Sequence, residues 1–400
     1  MSGAFKARNQ VAVAGFAQSP IVRRATRPLG ATAVETALQA IADAGLTVGQ
    51  IDGFVSSPLM PAMGGQSAVD GLSTVSSAWL AQHLGVDASY AVGFAGIGQI
   101  AGSMSIAINA IASGAADYIL FHRALHNPPG KYNDNAMSVA SGTDQWIAPM
   151  GFYGALASAA LTYNEYCQRY GATREAMASL VVEARKNGAR IPWSAWYGKP
   201  LTVKEYLDEP TLADPMCRYD ADMPVEGVAC FVLTSAERAR DLPNKPVYIA
   251  GYAQGYPTEH RAKMHWTLDE MTEAGARLHQ RLWNVTGLRG QDIDLPQLYD
   301  GFSPFVYIWM EVLGLCGPGE AHQLALAGGI DSDRPGAIPV ISGGGAIGNG
   351  RMHGIPQMLE CYLQLSGRAG DRQRANVTTG LACHSTPNFG GCVAYSNEPG

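Results

Sequence analysis

Charge is sparse in this chain. Asp, Glu, Lys and Arg together make up 16% of its 400 residues, and the formal net charge is −6. There is no basic run of the kind that tracks a phosphate backbone, so nucleic acid is not expected as a partner. Long apolar stretches are missing too. Each run is broken by Gly or a polar residue well before the roughly 18 positions of a membrane helix, so no membrane span is expected. The opening residues, MSGAFKARNQVAVAG, lack the apolar core of a signal peptide. The seven cysteines form neither a C-x-x-C pair nor a regular framework. They read as reduced thiols in a cytoplasmic protein, with no metal site. Neither glycine-rich nucleotide fingerprint is present. No low-complexity tract or linker interrupts the chain.

What the chain has is apolar bulk and glycine. Hydrophobic residues reach 47%, and 47 residues are Gly. A chain of this length buries a large core and suggests two domains or more. The rest is organised around residues 88–114, ASYAVGFAGIGQIAGSMSIAINAIASG. This stretch opens as a short strand, Tyr90–Val92, and meets Gly93, Gly96, Gly98 and Gly102. It continues as a helix of small residues, Ser103–Ser113, closed by Gly114. A helix apolar or small on all sides belongs inside a large protein. A strand, a glycine turn and a buried helix commonly present a nucleophile, because the helix N-terminus lowers a thiol's pKa. Yet no Cys, Ser or Thr lies between Tyr90 and Ala101.

Three landmarks occur twice in the same order. The pattern V-x-[VI]-A-G-[FY]-A-Q appears at Val11–Gln18 and at Val247–Gln254. A helix follows each time, about 31–44 and about 268–285, and then Ile51-Asp52-Gly53-Phe54 or Tyr299-Asp300-Gly301-Phe302. A second helix ends in Ala-Ile-Ala-Ser-Gly at Gly114 and in Leu-Gln-Leu-Ser-Gly at Gly367. Such recurrence points to a duplicated β-α-β-α-β unit, with halves at 1–245 and 246–400. The alternation of strand and helix argues an α/β fold with mostly parallel strands. An inserted loop region, about 127–222, separates the repeats. It contains two helices, about 153–170 and 173–187, and an aromatic stretch, Pro192–Gly198. It reads equally as a lid or as subunit packing.

The first half closes with MPVEGVA, 223–229, and FVLTSAERA, 231–239. The second half carries Tyr299-Asp300-Gly301-Phe302 and SGGGAIGNGRMHG, 342–354. On these motifs the chain resembles the thiolase superfamily, in its sterol-carrier-type branch, over nearly its whole length. The resemblance implies a duplicated thiolase fold, with two mixed β-sheets layered with helices as αβαβα. It also places the family's nucleophilic Cys at or beside Ile97, which cannot be acylated. Arg351 stands where the family's Gly-His-Pro motif has His, and Tyr299 where it has Asn or His. The last motif Cys falls on Cys383. One branch shares the missing nucleophile and the Tyr-Asp-x-Phe motif: the thiolase-like aldolases of steroid side-chain degradation, which use two tyrosines. Tyr299 matches the first, and Arg351 occupies the place of the second.

That resemblance implies a carbon–carbon lyase, a retro-aldolase cleaving a β-hydroxyacyl-CoA thioester with a bulky steroid- or terpenoid-like acyl group. The CoA thioester is the substrate, and no cofactor is implied. Tyr299 is the expected base. A free phenol, with a pKa of roughly 10, is too weak a base at neutral pH unless a cation lowers it. Arg351, always charged, is expected to be that cation or to hold the enolate oxygen. His353 is a proton carrier or a structural histidine. Asp300 orients a neighbour or caps the following helix. Gly344, Gly345 and Gly391 are expected to support the site through backbone N–H groups or plain turn chemistry. Cys383 is the alternative nucleophile. Its neighbour His384 is no dyad partner on adjacency alone, since strand neighbours point to opposite faces. Candidate acyl-pocket residues are 59–65, 146–152 and 305–309. Tyrosine and arginine each also have a bland reading, as a core residue and a salt bridge with Asp300. Alternatives to the lyase are a non-catalytic acyl- or lipid-binding scaffold subunit and an acyl-CoA thiolase. The resemblance further implies a homodimer and a small partner with an OB-fold and a zinc ribbon.

Overall fold

The computed structural model describes residues 5–56, 69–94, 98–127, 145–152, 154–256 and 266–399. Strand β1 (Val11–Gln18) leads through helix α1 (Leu29–Asp43) to β2 (Gly53–Ser56). Helix α2 (Ser77–Leu84), strand β3 (Tyr90–Gly93), helix α3 (Ile100–Ser113) and strand β4 (Tyr118–Leu125) follow. The inserted region contributes α4 (Gly154–Tyr170), α5 (Arg174–Gly188), α6 (Val203–Asp208) and a small ribbon of β5 (Thr211–Ala213) and β6 (Met216–Cys217). Strand β7 (Gly227–Ser235) and helix α7 (Ala236–Ala239) precede β8 (Val247–Gln254) and α8 (Leu268–Thr286). The chain then runs through β9 (Leu295–Gln297), α9 (Pro304–Val312), α10 (Ala321–Leu326), α11 (Gly345–Asn349) and α12 (Ile355–Ser366). It closes with the hairpin β10 (Thr379–His384) and β11 (Gly391–Ser396).

The two copies of the eight-residue pattern, β1 and β8, have the same burial along their length. They lie side by side, antiparallel, with Ala12 opposite Tyr248 and Val13 opposite Val247. That pairing joins what the sequence suggests as two sheets into one, in the order β3-β2-β4-β7-β1-β8-β11-β10-β9. The mainly parallel sheet expected from the alternation of elements is instead mixed. Among the described strands of this sheet, β2 with β3, β2 with β4 and β9 with β10 run parallel, and the other pairs antiparallel. Strand β7 returns antiparallel because the insertion, rather than a single crossover helix, connects it to β4. Strand β11 does so because a tight hairpin joins it to β10.

The layering follows from which faces are apolar. Helix α3 buries Ile100, Ala101, Met104, Ala107 and Ile108 completely, and α12 is buried along its whole length. Both share one core with strands of the two halves, from Val11 and Phe121 to Leu295 and Val393. Helices α1 and α2 cover the outer face of the first strands. Helices α8 and α9, with the inserted α4 and α5, cover the outer face of the second set. The small-residue helix begins at Ile100, three residues earlier than its sequence suggests, and Gly114 ends it in the left-handed conformation.

Candidate active site

The turn after β9 positions the central residues. Asp300 is fully buried, and its carboxylate accepts from the Ala346 and Ile347 N–H groups at 2.6 and 2.9 Å and from Gln357 Nε2 at 2.9 Å. It therefore caps α11 across space. Gly345 sits against it with φ +59°, and a β-carbon there would lie 2.2 Å from Asp300 Oδ2. Only glycine fits both the backbone and the space. Burial pushes the Asp300 carboxyl up to about 6, against the three donors that pull it down.

Tyr299, half-buried, folds back over the chain. A β-carbon on Gly301 would lie 2.3 Å from the Tyr299 hydroxyl, so the ring rests on the Gly301 α-carbon. Burial raises its phenol well above 10, the Asp222 and Asp300 carboxylates push it further, and Arg123 opposes them. Tyr299 is thus a protonated phenol, a hydrogen-bond and proton donor, at neutral pH. A cation acting on it is Arg123, which the sequence motif does not single out.

Arg123 is a charged residue inside the apolar strand β4, 1% exposed. Its Nη2 lies 2.8 Å from His353 Nδ1. Burial and the neighbouring Arg351 lower its pKa, and Tyr299 raises it; the guanidinium keeps its charge over the usable range. His353 follows α11 with φ +50°, a conformation uncommon outside glycine. Burial, then Arg123, then Arg351 hold its pKa well below the usual value, so its ring is neutral. With Nδ1 accepting from Arg123, Nε2–H is left as the donor. Arg351 is buried, its backbone N–H held by Met223 O at 2.9 Å. The structure therefore gathers Tyr299, Asp300, Arg351 and His353, as the motif reading expects, and adds Arg123 and Asp222.

A family model described as thiolase C-terminal domain-like matches residues 255–394. The 17-hydroxy-3-oxo-4-pregnene-20-carboxyl-CoA lyase of Mycobacterium tuberculosis is 29% identical over 370 residues, covering 90% of this chain and 92% of its own. A steroid side-chain-cleaving aldolase of Thermomonospora curvata is 29% identical over 386 residues, 92% and 94% of the two chains. Among solved structures, an Ltp2–ChsH2(DUF35) aldolase superposes with a TM-score of 0.82 at 28% identity, covering 97% of this chain and 98% of that one. Residues 255–394 are thus thiolase C-terminal domain-like, and the chain has the thiolase fold.

Other landmarks of the resemblance lie at the start of α3. Ile97 lies outside the described residues. The sharp entry into the helix is made by Gln99, with φ 50° and ψ −121°, and an amide there is no nucleophile. The Gly98 N–H donates to Phe389 O at 2.9 Å, which ties the last hairpin to this entry. Gly391 packs there too, its α-carbon against Ala101 and Gly98. Gly344, left-handed, forms the N-cap of α11.

Cys383 is fully buried, and its Sγ lies 3.3 Å from that of Cys392, directly opposite on β11. Burial pushes its thiol well above 9. This is the reverse of the electropositive, accessible setting that activates a cysteine. His384 is buried beside Gly354 and held neutral by burial, with a pKa of about 3.

Of the candidate acyl-pocket stretches, 59–65 lies outside the described residues. Trp146 and Met150 are exposed, at 70% and 81%. Phe305–Trp309 is α9 core rather than pocket lining, because the helix packs between α8 and the insertion. A surface groove of about 500 Å³ runs between residues 18–27, α1 and Glu226, and its lining includes none of the clustered residues.

Arg123 and Asp222 escape the motif reading. A lone arginine amid YILFHRAL was a visible signal, since a charge in an apolar strand is rarely idle. Asp222 gave none beyond marking the end of the insertion.

Proposed function

We propose that this chain is a thiolase-fold carbon–carbon lyase that cleaves a β-hydroxyacyl-CoA thioester with a steroid-like acyl group by a retro-aldol reaction. One observation carries the reading: a protonated tyrosine and two buried guanidinium groups gather in one cluster, and Cys383 is sealed away. A retro-aldol step needs no covalent intermediate. It needs a proton taken from the β-hydroxyl, a positive environment for the thioester oxygen as it becomes an enolate, and a proton returned to carbon. Arg351 and Arg123 supply the charge; one such donor is typically worth about 10²- to 10³-fold. His353 offers Nε2–H. Tyr299, kept protonated by burial and two carboxylates, returns the proton to carbon.

The names of the two steroid-cleaving relatives support the acyl class. The substrate itself brings the CoA, and the chain needs no further cofactor. We assign residues 1–245 and 246–400 as the two halves of the duplication, a cytoplasmic homodimer as the working form, and a small OB-fold and zinc-ribbon protein as partner. The aldolase–ChsH2(DUF35) structure supports the last.

The test sets two substrates side by side. With a β-hydroxyacyl-CoA bearing a ring hydroxyl, cleavage to a ketone and a shorter acyl-CoA is expected without added CoA. With the matching 3-oxoacyl-CoA and free CoA, no thiolysis is expected. Thiolysis, or an acyl adduct on the intact protein, would replace the lyase reading with a thiolase.

A further inference from the structure

Residues 220–222, the end of the inserted region, run antiparallel along the turn that holds Tyr299. The Ser303 N–H donates to Asp220 O at 2.9 Å, Ala221 bridges Phe302, and the Asp222 N–H donates to Gly301 O at 3.1 Å. Gly301 is also the residue on which the Tyr299 hydroxyl rests. The backbone of Asp222 is therefore fastened to the floor beneath that hydroxyl.

Three acidic side chains sit in this region, and two have full employment. Asp300 holds Ala346, Ile347 and Gln357. Asp220 accepts from Tyr206, Ser303 and the Cys217 N–H. Asp222 accepts nothing among the described residues, although its Oδ2 is sealed from solvent. A buried carboxylate oxygen without a donor is costly, and native proteins rarely keep one without a use. The residue still keeps some accessible surface, so a ligand can reach the group.

We propose that Asp222 is the catalytic base of the cleavage and shares a proton relay with Tyr299; this rests on the retro-aldolase reading above. The Asp222 carboxylate takes the proton of the substrate's β-hydroxyl. The O–H electrons form the new carbonyl, the Cα–Cβ bond breaks, and its electron pair passes into the thioester enolate. The Tyr299 hydroxyl gives its proton to Cα as the enolate collapses. Asp222 then returns its proton to the phenolate, and both groups end as they began. The two residues divide work that a single phenol does poorly: a carboxylate is the base, and a high-pKa phenol is the donor.

The titratable groups facing Asp222 are Tyr299 and Asp300, both from the β9–α9 turn. Burial, and next the Asp300 carboxylate, push its pKa well above the ordinary carboxylate range. A carboxylate whose pKa is raised is a stronger base than an ordinary one.

The experiment compares wild type, Asp222→Asn and Asp222→Ala on one β-hydroxyacyl-CoA, with and without formate, alongside thermal melts. Asp222→Asn is expected to lose about 10²- to 10⁴-fold in turnover, with a melting temperature equal to or above wild type. Formate is expected to restore part of the activity of Asp222→Ala. Wild-type cleavage with Asp222→Asn within about threefold of it would overturn the assignment and leave the lyase reading standing. A lowered melting temperature in Asp222→Asn, with no formate rescue of Asp222→Ala, would make Asp222 structural and overturn it likewise. No cleavage by wild type would remove both readings together.

Discussion

Tyr299 and Asp300 are neighbours in sequence with opposite settings. Asp300 is saturated by donors and builds the site, whereas Tyr299 rests its hydroxyl on Gly301 and faces charge. Tyr299→Phe removes one oxygen and no packing. Turnover should fall by about 10²-fold or more while the melting temperature stays within about 2 °C of wild type; steady-state kinetics and calorimetry check both. Asp222 gives a pH-dependent stability signature. Its folded pKa is raised, so the folded state holds the proton more tightly than the unfolded chain. Stability attributable to this group is therefore present at low pH and lost as pH rises from the unfolded value through the folded one. Asp222→Asn removes that loss, so it should raise the melting temperature more at pH 8 than at pH 5. Melts of both proteins at the two pH values decide this, and an equal effect would mean the carboxyl is not raised.

At the scale of elements, the insertion is bolted to the site through Asp220. Tyr206 Oη and Ser303 Oγ donate to its Oδ1, both at 2.7 Å, and the Cys217 N–H donates to Oδ2 at 2.7 Å. Asp220→Ala orphans all three donors and should cost about 2–4 kcal/mol in denaturant titrations. It should also lower turnover in the molecules that remain folded, because Asp222 loses its anchor. The last hairpin predicts the contrary behaviour. Cys383→Ser should leave turnover within about threefold, since the thiol touches only Cys392 and core, and assay of the purified variant measures it. The paired strands β1 and β8 were legible because an eight-residue pattern recurs almost unchanged, and periodicity is a local signal. The Tyr-Asp-Gly-Phe and Gly-rich motifs were legible for the same reason. Arg123 was not, because its role arises from a contact with His353, 230 residues away. The direction of β7 was not, because a 90-odd-residue insertion erases the rule that links a strand–helix–strand unit to parallel pairing. The Gln99 turn was not legible either, since a left-handed backbone leaves no mark on composition.

At the scale of the molecule, the described residues form a nine-stranded sheet wrapped around α3 and α12, with β3 at an edge, beside the small β5–β6 ribbon. Strand β3, Tyr-Ala-Val-Gly, carries no charged residue to discourage pairing. A second copy is expected to cover it, and light scattering should return a dimer mass; an active monomer would refute this. The chemistry proposed for the assembled protein leaves a solvent label at carbon without consuming CoA, which thiolysis cannot do. In D₂O, the enolate released by Cα–Cβ cleavage must collect its proton from a solvent-exchanged Tyr299. Mass spectrometry of the products from a β-hydroxyacyl-CoA should therefore find ketone and shorter acyl-CoA in equal amounts, the acyl-CoA carrying one solvent deuterium at its α-carbon and no free CoA having been consumed. An unlabelled acyl-CoA, or cleavage that depends on added CoA, would contradict the account.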